Sequence, residues 1–207
     1  MSRSERFWDK AAKNYDQLEK KDEQTYNRII QKTKAYLNVS NTVMDYGCGT
    51  GLIAIELAEH VKAIHAIDTS SSMIEMADKK AKEQNIANIT CAHTAIMDTR
   101  YEAGSFDGIL AFHVLHLLED EHTALHRINE LLKPGGLLIS ATPCMGEKKA
   151  LSILLSFAGR VGLAPNIKAF QIRSLIDTME NGDFSIVKSV CLNESSKEYF
   201  IVAKKMG

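Results

Sequence analysis

Three glycines, Gly47, Gly49 and Gly51, fall within five positions in "VMDYGCGTG", directly after a short apolar run. A strand that ends in a glycine-rich turn and opens a helix is a place to bind a nucleotide. Glycines let a ligand approach the backbone, and the first amides of the helix, with its dipole, favour negative charge there. Asp68 lies 23 positions after Asp45, at the end of the next apolar run, "KAIHAID". A carboxylate about 20 residues past such a turn is placed to accept hydrogen bonds from ribose hydroxyls. Each such charge-assisted bond is worth roughly 1.5–3 kcal/mol.

The spacing separates ligand classes. A dinucleotide cradle uses Gly-x-Gly-x-x-Gly to seat a pyrophosphate, whereas this chain has Gly-x-Gly-x-Gly preceded by Asp45. A carboxylate beside the cradle repels a pyrophosphate and attracts an ammonium group. The residues therefore point to a nucleoside carrying an amino-acid tail. His113, at the end of the apolar run "FDGILAFHVL", falls in the crevice at the carboxyl end of a parallel sheet, where a group of its pKa suits a general base. A histidine there can equally pack or hydrogen-bond without titrating. His116 is expected to pack or cap, Asp107 to be structural, and Cys144 to be an inert thiol.

These residues need elements to hold them. Residues 4–37 have helical periodicity, with Phe7, Ala11, Tyr15 and Leu18 recurring at helical spacing. From residue 42, short apolar runs alternate with amphipathic ones. "TVMDY", "KAIHAID", "NITCAHT", "FDGILAFHVL" and "LLISAT" read as strands. "LIAIELAEHV", "SSMIEMADKKAKEQN" and "EHTALHRINELL" read as helices, the last stopped by Lys133-Pro134-Gly135-Gly136. Such alternation predicts a parallel sheet with helices on both faces. "FSIVKSVCLN" and "EYFIVAKK" follow as an antiparallel pair, and 147–158 and 171–180 carry helical patterning.

"VMDYGCGTG", "AIDTSSSMIEMA", "SFDGILAFHVLHLL" and "LLKPGGLLI", in that order over roughly residues 40–142, resemble the class I S-adenosylmethionine-dependent methyltransferases. "FWDKAAKNYD" is similar to that family's leading helix. The resemblance implies a Rossmann-like, doubly wound, mostly parallel seven-stranded sheet of order 3-2-1-4-5-7-6, with the last strand antiparallel. It implies S-adenosyl-L-methionine as cofactor. Asp45 and the turn Gly47, Cys48, Gly49 and Gly51 would hold its methionine part, Asp68 the ribose, and Thr69 and Met73 the ribose and adenine, with Tyr15 closing over it. The family's acid after the third strand falls here near Thr94 or Ala95, neither acidic, and Asp98 comes later. Ala95 and Ile96 would contact adenine through backbone and apolar atoms. Phe112 and His113 would face the methyl group and the acceptor.

With 207 residues, 45% of them hydrophobic, the chain is expected to be one domain, with 1–37 a helical lid and 143–183 a helical insertion on the substrate side. Lys and Arg number 25 against 26 Asp and Glu, a balance that speaks against nucleic acid as partner. Cys48, Cys91, Cys144 and Cys191 lack the paired spacing of a metal or redox site, so reduced thiols and a cytoplasmic location are expected. No run approaches the about 18 apolar residues of a membrane span. The chain lacks an Asn-Pro-Pro-Tyr tetrad after the fourth strand, and an acidic magnesium cluster. A partly apolar small-molecule methyl acceptor is therefore expected. The alternatives are a non-catalytic sensor or scaffold that binds the same cofactor, and a nucleotide-dependent oxidoreductase, which the glycine spacing opposes.

Overall fold

The computed structural model describes residues 3–19, 22–147 and 167–207. Two helices, α1 (Arg3–Glu19) and α2 (Glu23–Lys34), precede the sheet. The sheet strands are β1 (Thr42–Tyr46), β2 (Ala63–Asp68), β3 (Ile89–His93), β4 (Phe106–Phe112), β5 (Leu132–Pro143), β6 (Phe184–Asn193) and β7 (Glu198–Lys205). Between them run α3 (Leu52–Leu57), α4 (Ser71–Glu83), α5 (Glu121–Leu131) and α6 (Ile172–Glu180). The order is β3-β2-β1-β4-β5-β7-β6, parallel except for β7, which is antiparallel to both its neighbours. This is the expected doubly wound sheet and order.

Alternation along the strands builds two cores. Val43, Ile64, Leu110, Ile139 and Val202 face one side and pack with Ile29 and Ile30 of α2 and with Ile53, Ala54 and Leu57 of α3. Their sequence neighbours Met44, Ile109, Leu138 and Ile201 face the other and pack with Leu125, Ile128 and Leu131 of α5 and with Leu175 and Met179 of α6. A side-chain period of two sends each adjacent pair to opposite faces, so runs buried on both sides read as continuous apolar segments. Both carboxylates singled out above stand at the carboxyl ends of strands, Asp45 near the end of β1 and Asp68 closing β2.

Several boundaries differ from the sequence expectation. The helix expected through Val61 is α-helical only to Leu57 and continues as a 3-10 turn over Ala58–His60. β4 stops at Phe112, because His113 takes a left-handed conformation (φ 54°), and Leu115–Leu117 form a short 3-10 turn. α5 ends at Leu131, one residue before the expected run does, and Leu132 and Lys133–Gly136 are counted within β5. The pairing jumps from Phe106–Leu132 to Gly108–Leu137, so these residues bulge out of register, with Gly135 at φ 74°. The helical patterning over 148–158 lies outside the described residues. No helix among the described residues is long and apolar enough to cross a membrane.

Candidate active site

A cavity of about 370 Å³ opens at the carboxyl ends of β1, β2 and β4. Its walls include Trp8, Tyr15, Gly47, Gly49, Asp68 and Thr69, with Met73, Phe112, His113 and Val114, and Leu117 and Leu118 beyond. A small inner chamber of about 30 Å³ adjoins it through the shared residues Tyr15, Gly47, Phe112 and His113; Asp45, Cys48, Glu19 and Tyr26 also line the chamber.

The glycine turn is built mainly by the protein's own packing. Gly47, Gly49 and Gly51 have φ of 72°, 53° and 77°, a region that costs other residues roughly 1–2 kcal/mol. A Cβ on Gly47 would lie 2.7 Å from Val114 Cγ2, and one on Gly51 2.9 Å from Ala77 Cβ, whereas at Gly49 the nearest atom is on the Tyr15 ring, at 3.4 Å. The amides of Gly47 and Cys48 both donate to the Ile67 carbonyl (2.9 and 3.0 Å), and that of Gly51 donates to the Cys48 carbonyl (3.0 Å). The Gly49 amide donates to Asp68 Oδ2 at 3.0 Å. With these four amides bonded inside the protein, they are not available as a nest for a pyrophosphate. Here the structure departs from the anion cradle that the glycines alone suggest.

The two carboxylates differ. Asp68 Oδ1 also accepts from the Ser70 amide (2.8 Å); burial nonetheless raises its pKa, these bonds opposing. Asp45 is 3% exposed, and its Oδ2 has no hydrogen-bond partner. Burial, with the charge of Asp68 added, raises the Asp45 pKa to about 7. A buried carboxylate oxygen without a partner is costly, and a cation in the chamber would relieve it.

α1 lies over the cavity and is tied down by polar contacts. Asp9 accepts from Ser70 Oγ (2.6 Å) and from the Ser72 amide (3.1 Å) at the start of α4. Asp16 accepts from Thr50 Oγ1 (2.5 Å) and pairs with Lys80 (2.5 Å). Tyr15 is held over Gly49, its phenol pKa raised by burial and by Glu19.

His113 lines both cavities and donates or accepts through Nε2 at 3.0 Å from Glu198 Oε1, while its Nδ1 is 4.0 Å from Glu19. Burial acts to lower its pKa, and the hydrogen bond and charge of Glu198, with Glu19 and Asp22 beyond, outweigh that and raise it. His116 is buried, its pKa lowered to about 3 by burial and then by His113. Cys144 is fully buried, its thiol pushed up to about 12 by burial first. Asp107 accepts from the Thr42 amide (2.8 Å) and from Lys133 (2.7 Å), tying β1 to β4.

Of the residues singled out from sequence, Tyr15, Gly47, Gly49, Asp68, Thr69, Met73, Phe112 and His113 line the larger cavity, and Asp45 and Cys48 the inner chamber. Gly51 caps α3 and packs on α4. Ala95 is exposed and Ile96 is buried in the core; neither lines the cavity. Asp98 is held by Thr94 and Arg100 in its own loop. Sequence reasoning missed Trp8, Leu117 and Leu118, and it missed Glu198 altogether. The apolar "HLL" after the fourth strand was the only signal for the two leucines.

A family model for the methyltransferase domain matches residues 43–136, the stretch that carries β1, the glycine turn, Asp68 and β4. Over residues 43–136 the chain matches a methyltransferase domain, which supports its resemblance to the class I S-adenosylmethionine-dependent methyltransferase family. The cofactor of this methyltransferase family is S-adenosylmethionine. An uncharacterised methyltransferase of Mycobacterium tuberculosis is 34% identical over 100 residues, covering 48% of this chain and 49% of that one. A ubiquinone biosynthesis O-methyltransferase of Methylocella silvestris is 35% identical over 100 residues, covering 48% and 39%. The match thus spans about half or less of the length of these curated relatives. Among solved structures, a putative methyltransferase of Haloferax volcanii in complex with the Trm112 activator superposes with a TM-score of 0.79 at 14% identity, covering 97% and 98%. Geranyl diphosphate C-methyltransferase of Streptomyces coelicolor, bound to its substrate and S-adenosyl-L-homocysteine, gives 0.73 at 14%, covering 87% and 79%. These structures share the fold of this methyltransferase domain.

Proposed function

We propose that the chain is an enzyme that transfers a methyl group from S-adenosylmethionine to a small, partly apolar acceptor molecule. The observation that carries this is Asp45 Oδ2, buried without a partner at the wall of a chamber next to a glycine turn. That oxygen fits the ammonium group of the cofactor's amino-acid tail. The bonded amides of the turn leave room for a backbone approach without an anion nest, as a cationic ligand requires.

The remaining roles follow from placement. Asp68, held by two amides, keeps lone pairs for ribose hydroxyls. Thr69, Met73 and Trp8 wall the nucleoside side, and Tyr15 covers Gly49. Ala95 and Ile96 stay the adenine-side residues of the resemblance, now with no cavity contact of their own. Phe112, Val114, Leu117 and Leu118 give the cavity an apolar wall that suits an acceptor with apolar surface. Within one domain, α1 acts as a lid; of the expected insertion 143–183, residues 148–166 lie outside the described residues. When bound, the cofactor supplies an activated methyl group. The chain's own residues orient the acceptor, exclude water and, through His113, take a proton where the acceptor brings one. Orientation of this kind contributes about 7–11 kcal/mol in favourable cases. The balanced charge and the absence of a membrane-crossing helix among the described residues suit a cytoplasmic enzyme.

The test has two arms. Calorimetry should show S-adenosylmethionine binding that Asp45→Asn abolishes. Labelled methyl from S-adenosylmethionine should pass to a product in a metabolite extract, identified by mass spectrometry. Binding without transfer would favour the sensor reading, and absence of binding would end both.

A further inference from the structure

His113 is held in a way that chain position alone does not explain. It is a non-glycine residue at φ 54°, its amide bonded to the Ala141 carbonyl at 2.8 Å. Strained backbone of this kind persists where surroundings over-determine it, and it concentrates at functional sites. The ring's Nε2 meets Glu198 at 3.0 Å, a carboxylate 6% exposed that opens β7 and comes from 85 positions away in the chain. The other ring nitrogen, Nδ1, takes no part in that bond and has Glu19 of α1 at 4.0 Å; the ring lines both the larger cavity and the inner chamber.

We propose that Glu198 is a positioning residue for His113: it accepts the Nε2 proton in a hydrogen bond and so leaves Nδ1 as the atom that takes the methyl acceptor's proton. This rests on the methyl-transfer reading above. The step balances within the site: the acceptor's proton moves to Nδ1, its electron pair stays on the acceptor atom that will bond the methyl carbon, and the imidazolium formed is paired with Glu198. A carboxylate behind a catalytic imidazole fixes its tautomer and stabilises its cation in this manner. The charged groups that face His113 are Glu198 from β7, Glu19 from α1, Asp22 ahead of α2 and His116 from the 3-10 turn. The three carboxylates hold the resting imidazole pKa above 6.5, so the base is unprotonated only above that raised value. Activity should therefore rise with pH through it.

The test is a nitrogen-15 NMR titration of His113 in the full chain, beside the pH profile of methyl transfer to the acceptor found by the labelled-methyl screen. Neutral wild-type His113 should carry its proton on Nε2. Glu198→Gln should lower the His113 pKa by about 1 pH unit or more. The acid limb of kcat/KM should move down by the same amount, with KM for S-adenosylmethionine unchanged. Glu198→Asp, which keeps the charge, should restore the pKa in part and serves if the glutamine variant fails to fold. A neutral imidazole protonated on Nδ1, or a pKa indifferent to Glu198, overturns the positioning role. A shifted pKa with an unmoved acid limb overturns the base role, as does a wild-type chain that binds S-adenosylmethionine and transfers methyl to nothing in the extract. Failure of the wider reading is distinct, since it is read on the wild-type chain alone: no calorimetric binding ends it, and binding without transfer favours the sensor reading, whatever Glu198→Gln does to the His113 pKa.

Discussion

Gly49 hands its amide proton to Asp68 across 3.0 Å, so the turn after β1 is fastened to the tip of β2 by the same carboxylate that faces the cavity. One side chain thus shapes the turn and, in the role proposed above, would also hold the ribose. Asp68→Ala should lose both. Affinity for S-adenosylmethionine should fall about 100-fold, equivalent to about 3 kcal/mol for a lost charge-assisted bond. The melting temperature should also fall, because the Gly49 and Ser70 amides lose their acceptor. Calorimetry and thermal denaturation on the same protein check the pair, and unchanged binding would remove Asp68 from the site.

Asp45 links the site to pH. Its folded pKa of about 7 stands above the ordinary 3.8, so between these values the folded chain holds a proton that the unfolded chain releases. The ligand-free protein should therefore lose stability as pH rises from about 4 to about 7 and change little from this group above that. The loss is at most about 4 kcal/mol. Asp45→Asn should flatten this dependence and raise the melting temperature at pH values above about 7, while cofactor binding disappears. Equilibrium urea unfolding across that range is the measurement.

Gly51 tests the packing side of the turn. Gly51→Ala should cost about 2–4 kcal/mol, part from the positive φ and part from the 2.9 Å approach to Ala77. Adding Ala77→Gly should relieve the contact and leave the conformational part, so the double variant recovers only partly. Denaturant midpoints of the three proteins measure this.

α1 is the fourth case. Asp16→Ala removes the acceptor of Thr50 and the partner of Lys80 together. Amide hydrogen exchange over residues 3–19 should speed up about tenfold while α4 stays protected. Equal exchange in both proteins would mean that Asp16 does not hold the helix, which then rests on the Asp9 contacts and its apolar face.

Much of this was legible in the sequence. The strands 42–46, 184–193 and 198–205 begin and end where their apolar runs do, because flanking polar turns close them. The α4 start at Ser71 follows from Ser70, whose hydroxyl accepts the Met73 amide. Asp45, Asp68 and the glycines announce themselves through spacing. Other features have no local signature. Gly47 and Gly51 answer to Val114 and Ala77, which only folding brings near. The turn's amides are spent on Ile67, Asp68 and Cys48, which no pattern shows. Glu198 reads as one more polar residue at the start of a strand, since its meaning depends on β7 entering the sheet next to β5.

That insertion of β7 also sets an order of events at the ribosome. β6 leaves the exit tunnel first but has no place in the sheet until β7 fills the gap between it and β5. β6 therefore enters the sheet only by pairing with β7, and the two form one hairpin unit against β5. Glu198 belongs to that unit, so the hydrogen bond to His113 exists only when the hairpin is docked.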